Sequence, residues 1–269
     1  MGAPRWDAVN TRDDAGRTGL TLRTAGGCRQ AADDGGGMGR AHIFNPFCGS
    51  PSGEIMELKE IIAEIRTVLD EKDALREEAL RLTREIVRMS GDTIKALHRG
   101  DVGEAEKRLK LAREKVEELR KKLENHPDLY HTGYVQSAHQ EFAEASLFFA
   151  YITGGEYPSP EELSIPHADY ALGIGDFIGE LRRHFLLLLL DGNIEEAEKT
   201  YRVMEKTYEE LMTLEYPKGL VNIRGKQDQA RNILERTLED LVRAKLSKSL
   251  EIKLDLTAAA LENQENRNV

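Results

Sequence analysis

Apolar residues recur at helical spacing from Met56 onward. The first members of this pattern are Leu58, Ile61, Ile62, Ile65, Val68 and Leu69, and the same stripe continues through Leu75, Leu82, Ile86 and Ile94. Spacings of three and four residues place side chains on one face of a helix. The pattern therefore predicts one long helix that ends near Gly100.

Start and stop signals divide the remaining sequence into further helices. Asp101 with Glu104 predicts a helix over about 102–124, and Pro127 opens a third that ends at Gly154. The sequence then predicts a short turn at 159–162, a glycine-rich helix between 166 and 191, a helix from Asn193 to about 214, and a final helix. The final helix carries a stripe of Ala230, Leu234, Leu238 and Leu241. Without any strand-like alternation, the chain is predicted to be all-α, an antiparallel bundle of about six or seven long helices.

The first 53 residues have a different composition from the rest of the chain. They contain 11 of the 23 glycines and both cysteines, Cys28 and Cys48, without a periodic apolar pattern. Such a segment buries too little apolar surface to offset the entropy of ordering it. We therefore predict a disordered N-terminal extension over 1–53, with Met56 as the natural first residue. A single helical domain follows over 54–264, with a disordered tail over 265–269.

Charge and apolar content narrow the classes of function. The net charge is −10, which argues against general affinity for nucleic acid or anionic membranes but permits a local basic surface. The longest apolar cluster, 185–190, is far shorter than the roughly 18 residues of a membrane span. It predicts a helix segment buried on all sides, with a subunit contact as a further possibility. Cysteines confined to the first 48 residues predict a cytoplasmic protein.

The glycine-rich helix contains two features that ordinary packing does not require. Gly173, Gly175 and Gly179 fall within seven residues, although each glycine costs about 1 kcal/mol relative to alanine in a helix interior. Asp176 and Glu180 lie one turn apart on a single face. Close approach of another backbone or of a ligand would offset the cost of the glycines.

A second pair of acids precedes this helix. Glu141 and Glu144 share a helix face next to an apolar run. Four carboxylates from two helices need a cation, bound protons or separation by solvent. Carboxylate oxygens without cysteine, and with no histidine in the expected place, favour Mg²⁺ or Mn²⁺ over zinc, and a metal of this type supports hydrolysis of phosphoesters.

A di-iron centre and a purely structural role are the competing hypotheses for these four acids. A ferritin-like di-iron centre needs Glu-x-x-His pairs, and this chain contains none. In the structural role, the acids only form salt bridges with Arg182, Arg183 or lysines. Spacing alone slightly favours the structural role, because acid pairs are common in glutamate-rich helices. The apolar, glycine-rich surroundings argue against it.

The two acidic segments resemble the paired motifs of the translin superfamily. The first motif is Gln140-Glu141-Phe142-x-Glu144-Ala145, and the second runs from Asp169-Tyr170 through Gly173, Asp176 and Gly179-Glu180-Leu181 to Arg183. The resemblance covers roughly residues 70–245 and is closest to the translin-associated factor X branch and its archaeal relatives. The final helix, with Arg224 and Lys226, is also similar.

The resemblance implies an all-α subunit that assembles into a hollow homo-oligomer, often an octamer, around single-stranded RNA or DNA. In the catalytic branch, acids matching Glu141, Glu144, Asp176 and Glu180 bind Mg²⁺ and cleave RNA. Arg182, Arg183, Arg224 and Lys226 are the predicted RNA contacts. We therefore predict an Mg²⁺-dependent endoribonuclease. The alternatives are a non-catalytic translin-like RNA- or DNA-binding protein and an all-α nucleotide pyrophosphohydrolase.

Overall fold

The helical domain contains six long helices and two single-turn helices. A computed structural model of the chain describes residues 10–12, 18–20 and 58–265, with side chains of the helical part to residue 259. The long helices are α1 (Leu58–His98), α2 (Val102–Lys122), α4 (Gly133–Thr153), α6 (His167–Leu190), α7 (Ile194–Met212) and α8 (Arg224–Glu265). The short ones are α3 (Pro127–Tyr130) and α5 (Pro160–Leu163). The predicted all-α fold class is confirmed.

The segment before the helical domain contains two short strands. β1 (Asn10–Arg12) pairs antiparallel with β2 (Thr18–Leu20), with Thr11 opposite Gly19. These strands depart from the prediction of an extension without regular structure. The rest of that prediction lies outside the described residues, as do residues 266–269 of the predicted tail. By contacts, the chain divides into two compact units, Met1–Ile55 and Met56–Val269.

Side-chain caps begin three of the helices at the places that the sequence signals indicate. The Asp101 carboxylate accepts the backbone N–H of Glu104 at 3.0 Å, and the Asn193 side chain accepts that of Glu196 at 3.3 Å. Ser159 and Glu162 form a complete capping box at the start of α5. Each cap satisfies an N–H group that has no partner within its helix, which fixes the first turn.

The predicted third helix is instead two helices. Pro127 opens only the single turn of α3, and α4 begins at Gly133 after a break at residues 131 and 132. Thr132 has extended backbone angles, and its hydroxyl group donates to the carbonyl oxygen of Leu129 at 2.6 Å. This side-chain bond competes with the helical pattern and permits the chain to turn. The predicted stop is confirmed, because Gly154 adopts a left-handed conformation with φ of 68°.

Helix α4 lies between two apolar clusters and contributes to both. Ala138 and Phe142 pack with Leu82 of α1 and Val116 of α2. Six residues further on, Phe148 packs in the other cluster, whose remaining members come mainly from the C-terminal end of α1 and from α6, α7 and α8. Burial on opposite sides explains why α4 is apolar around most of its circumference. The acids of α4 thus lie on a largely buried helix, and Glu144 is only 9% exposed.

Within one subunit, the 185–190 segment is buried on one side only, so the predicted burial on all sides is not reached there. Phe185 is fully buried against Ala197 of α7 and Leu241 of α8. In contrast, Leu186 is 43% exposed and Leu190 is 82% exposed. Within one subunit, α7 and α8 cover a single face of this turn. Leu238, predicted to belong to the buried stripe of α8, is likewise 45% exposed.

None of the described helices has an apolar stretch of the length and hydrophobicity that a bilayer crossing needs.

Candidate active site

Gly173 brings the two acid-bearing helices into direct contact. A Cβ atom at this position would lie 2.7 Å from the Cβ of Ala143 and 2.9 Å from the carbonyl oxygen of Gln140. Both distances are shorter than real carbon contacts, so α6 approaches the backbone of α4 at a point that only glycine permits. This contact brings the surface bearing Glu141 and Glu144 next to the one bearing Asp176.

The other two glycines of α6 have different surroundings. A Cβ atom at Gly175 would lie 2.7 Å from the Cβ of Lys226, so this glycine makes room for a side chain of α8. A Cβ atom at Gly179 would have no heavy atom within 4 Å. Close helix packing therefore explains Gly173, and passage of a lysine explains Gly175. Packing does not explain Gly179.

All four predicted acids line one open cleft of about 490 Å³. Glu141 and Glu144 come from α4, and Asp176 and Glu180 come from α6. Three cationic side chains also line the cleft, namely Lys95, Arg183 and Lys226. The structure thus brings together acids that are up to 39 positions apart in the sequence (180 − 141).

The two acids of α6 have cationic or imidazole partners. Lys226 donates from Nζ to Oδ1 of Asp176. His98 of α1 lies with Nε2 at 2.5 Å from Oε2 of Glu180, and Arg183 approaches the same oxygen at 3.9 Å. The salt-bridge hypothesis therefore describes Asp176, which pairs with a lysine, whereas the main partner of Glu180 is a histidine that the hypothesis did not name.

The two acids of α4 make no ion pair within 4 Å among the described residues. Burial, followed by the nearby charges of Asp176, Glu141 and Glu180, raises the pKa of Glu144 to about 8. Burial and the charge of Asp176 also raise the pKa of Glu141. Both acids are therefore poised to bind a proton or another cation.

The donor set suits a hard divalent cation, although the side chains are not arranged around one. Four carboxylates without cysteine are the oxygen ligands that Mg²⁺ and Mn²⁺ prefer. Within the described residues, however, no three acidic, histidine or cysteine side chains come close enough to hold an ion. Asp176 is turned toward Lys226, and Glu180 is turned toward His98. The donor chemistry fits such an ion, and Asp176 and Glu180 would have to leave their present partners to help hold one.

The four predicted RNA contacts have different locations. Arg183 and Lys226 line the cleft. Arg182 points away from it to an ion pair with Asp240 of α8, and its guanidinium group also lies 5.4 Å from the ring centre of Phe185. Arg224 is exposed beside the loop that contains Tyr216 and Pro217. Of the two adjacent arginines, the structure thus places Arg183 at the acids.

Two histidines bind acids of α6 from neighbouring helices. His139 of α4 lies with Nδ1 at 2.8 Å from Oδ2 of Asp169, and both side chains are buried. His98 is the corresponding partner of Glu180, and the sequence patterns did not indicate it. Lys95, one turn before His98, was not predicted either. Neither has a local signal, because the end of α1 reaches the cleft only through the tertiary fold.

Fold and site together define an all-α protein with a carboxylate-lined cleft. The two helices that carry the carboxylates touch each other at a glycine. The sequence model of the Translin family matches residues 74–242. The chain therefore belongs to this family. It is 38% identical to an uncharacterized protein of Methanocaldococcus jannaschii over 176 residues, which are 65% of this chain and 78% of that protein.

Solved structures show the same relationship. The crystal structure of AfC3PO superposes with a TM-score of 0.64 at 38% identity, covering 69% of this chain and 97% of the other. AfC3PO in complex with duplex RNA gives a TM-score of 0.60 at 37% identity, with 69% and 97% coverage. Apo-NeC3PO gives 0.62 at 25% identity, with 72% and 100% coverage. The resemblance inferred from the paired motifs is confirmed.

Proposed function

We propose that this protein binds RNA and hydrolyses its phosphodiester bonds in the acid-lined cleft, with Mg²⁺ or Mn²⁺ as cofactor. The observation that carries the proposal is the convergence of four carboxylates from α4 and α6 on one open cleft. Their mutual repulsion contributes to the rise of the Glu144 pKa to about 8. A structural cluster of acids would be expected to have enough internal counter-charges, and Glu141 and Glu144 have none in direct contact within the described part of the chain.

The family relationship supports the nucleic-acid part of the proposal. A relative with 37% identity over 69% of this chain forms a complex with duplex RNA. The motif resemblance suggests single-stranded substrates instead. We therefore propose RNA as the substrate class, with a preference for single strands, and both forms belong in the assay. The cleft is open to solvent, which admits a polymer rather than enclosing a small molecule.

Glu141, Glu144, Asp176 and Glu180 are the residues that would hold the metal ion. When bound, such an ion polarises a phosphoryl oxygen and lowers the pKa of a coordinated water. Arg183 is 56% exposed at the cleft, with only a 3.9 Å contact to Glu180, and can donate to a phosphate oxygen. Glu144, with its raised pKa, can hold a proton near neutral pH in the metal-free protein. His98 holds the carboxylate of Glu180 in one orientation.

The catalytic proposal is tested by removing one charge from each acid-bearing helix. Glu141→Gln and Asp176→Asn preserve side-chain shape, and each is expected to reduce Mg²⁺-dependent RNA cleavage by about 100-fold or more. Glu114→Gln, at an exposed position of α2, is the matched control and should retain cleavage. Parallel assays with EDTA measure the metal requirement. Wild-type rates in both cleft variants would refute the assignment.

A second candidate is a nucleic-acid-binding protein without catalysis. The ion pair of Asp176 with Lys226 and the absence of a three-ligand cluster among the described residues favour it. It predicts RNA binding that is insensitive to EDTA and no metal-dependent turnover of single-stranded or duplex RNA. Binding and cleavage measured on the same labelled oligomer therefore distinguish the two candidates.

We further propose that the subunit assembles into a homo-oligomer through the end of α6. Leu186 and Leu190 expose apolar side chains next to the packed Phe185, and clustered exposed apolar residues mark interaction surfaces. Leu190→Glu is expected to shift the protein toward smaller species in light scattering. Leu220→Glu, at a similarly exposed leucine in the loop before α8, is the control. A wild-type protein that is monomeric at micromolar concentration would contradict this proposal.

A further inference from the structure

Lys226 reaches the acids from a third helix along a path that Gly175 leaves open. It lies in the first turn of α8, and its ammonium group donates to Asp176. Both side chains are about three quarters buried, with 24% and 25% exposed. A Cβ atom at position 175 would lie 2.7 Å from Cβ and 3.1 Å from Cγ of the lysine. Any larger residue at 175 would thus displace the lysine from this path.

Lys226 is also the cation most closely associated with the whole group of acids. Its charge opposes the effect of burial and lowers the pKa of both Glu141 and Glu144. The other two cations at the cleft are engaged differently. Lys95 pairs with Asp92 at 3.3 Å, and Arg183 lies 3.9 Å from Glu180.

We propose that Lys226 is a tethered cation that neutralises the cleft in the metal-free protein and binds an RNA phosphate after a divalent cation displaces it from Asp176. The proposal rests on the metal-dependent function proposed above. A metal ion at Asp176 and the ammonium group would repel each other at close range. Because the lysine side chain is flexible, its head group can leave the carboxylate while its stem stays beside Gly175. Lys226 would thus bind the acids or the substrate, but not both.

This exchange couples metal binding to RNA binding. Metal binding releases an ammonium group that faces the cleft, so RNA should bind more tightly when metal is present. By linkage, RNA should increase the affinity for metal by the same factor, about tenfold for a typical coupling. Without the lysine charge, metal should bind more tightly on its own, and RNA should lose the metal-dependent gain.

Titration calorimetry of Mn²⁺ into the RNA-free full-length chain tests the first half of the proposal. Lys226→Gln is expected to bind Mn²⁺ about tenfold more tightly than the wild type, a coupling of typical size. Lys95→Gln is the matched control, because Lys95 lines the same cleft but pairs with Asp92. It should change Mn²⁺ affinity by no more than about twofold, as expected for an exposed charge.

Binding of a cleavage-resistant 2′-O-methyl RNA oligomer, with and without Mn²⁺, tests the second half. Mn²⁺ should raise the affinity of the wild type and of Lys95→Gln about tenfold and should leave that of Lys226→Gln nearly unchanged. Gly175→Ala keeps the charge but obstructs the lysine, so it should also tighten Mn²⁺ binding. Gly179→Ala makes the same change in open space and should not.

The outcomes separate this proposal from the metal-dependent function. Mn²⁺ binding that is abolished by Glu141→Gln but equal in Lys226→Gln and Lys95→Gln would overturn the tethered cation alone. A loss of thermal stability in Lys226→Gln without a gain in Mn²⁺ affinity would also overturn it, since the ion pair would then be purely structural. Absence of Mn²⁺ binding by the wild type would overturn both.

Discussion

Glu141 and Glu144 on α4 can be compared with Asp176 and Glu180 on α6, because all four line one cleft. The α6 acids each have a partner, Lys226 or His98, that comes from another helix. The α4 acids lack such partners among the described residues, and their pKa values are raised. The α6 acids therefore contribute to the stability of the subunit, whereas the charges on α4 oppose it. A site that binds a cation needs acids without internal partners, such as those on α4.

The largest effect is expected from separating the two helices. Gly173→Ala places a methyl group 2.7 Å from the Cβ of Ala143 and 2.9 Å from a backbone oxygen. Overpacking of this kind lowers the free energy of unfolding by about 3 kcal/mol. The variant should also bring the pKa of Glu144 closer to its ordinary value, because α6 moves away. Denaturant unfolding measures the first effect.

Gly179→Ala is the matched control for this experiment. No heavy atom lies within 4 Å of the added methyl group, so the helix propensity of alanine should raise stability by about 0.5–1 kcal/mol. Equal stability of the two alanine variants would show that the contact at Gly173 does not hold the acid pairs together.

The next largest effect concerns Glu144, which belongs to the pair of α4 acids without partners. Since the pKa of Glu144 is raised from 4.5 to about 8 in the folded protein, the folded state binds more protons than the unfolded state between these values. Its contribution to stability is present below pH 4.5 and is lost as the pH rises toward 8. Glu144→Gln removes this pH dependence.

At pH 8 and without metal, we expect Glu144→Gln to raise the free energy of unfolding by about 2 kcal/mol, less than the full pKa shift would give because the cleft contains water. Thermal melts of both proteins from pH 5 to 8 measure the difference. A variant that is less stable than the wild type over this range would mean that Glu144 has a stabilising partner.

Removing a charge from the α6 acids, which have partners, should change the free energy of unfolding in the opposite direction. Asp176→Asn removes the negative charge that Lys226 contacts, and the partly buried ion pair should contribute about 1 kcal/mol. The metal-free variant should therefore unfold at lower denaturant concentration than the wild type. Combining Asp176→Asn with Lys226→Gln should recover part of the loss. If the two losses simply add, the pair does not interact.

The smallest effect on stability is expected for Arg183→Gln. The guanidinium group is 56% exposed and lies 3.9 Å from Glu180, so stability should change by less than about 0.5 kcal/mol. If Arg183 binds phosphate, RNA affinity should fall and its salt dependence should weaken by about one unit of slope. A clear loss of stability with unchanged RNA affinity would assign Arg183 to the structural partners of the α6 pair.

The elements determined by local interactions were predictable from the sequence. Asp101, Asn193 and Ser159 cap the helices as expected, because a cap involves residues only three positions apart. The break between α3 and α4 was missed, since Thr132 precedes Gly133 without a strong stop signal. The short strands of the first unit, Asn10–Arg12 and Thr18–Leu20, were not predicted either.

The site was predictable to the extent that it follows helix periodicity. The pairing of acids on each helix face depends only on spacing, and the paired motifs placed the two faces together. The partners did not follow from spacing, because His98 lies 82 positions from Glu180. Adjacent residues on a helix point about 100° apart, so choosing Arg183 over Arg182 required the position of α8. The surroundings of Gly179 could not be predicted either, because a glycine in the sequence does not show whether another residue packs beside it.

Burial along α1 and α8 has a consequence for hydrogen exchange. Residues 58–71 of α1 are exposed, and so are nearly all residues of α8 from 242 to 259. The family match, over 74–242, ends at nearly the same places. Amides in these outer turns are protected only by the helix–coil equilibrium, whereas those beside Phe142 require unfolding of the packed subunit. In a separated subunit the two ends would exchange orders of magnitude faster than the middle. Slow exchange at the outer turns of α1 and α8 would therefore measure the protection that assembly gives to these helices.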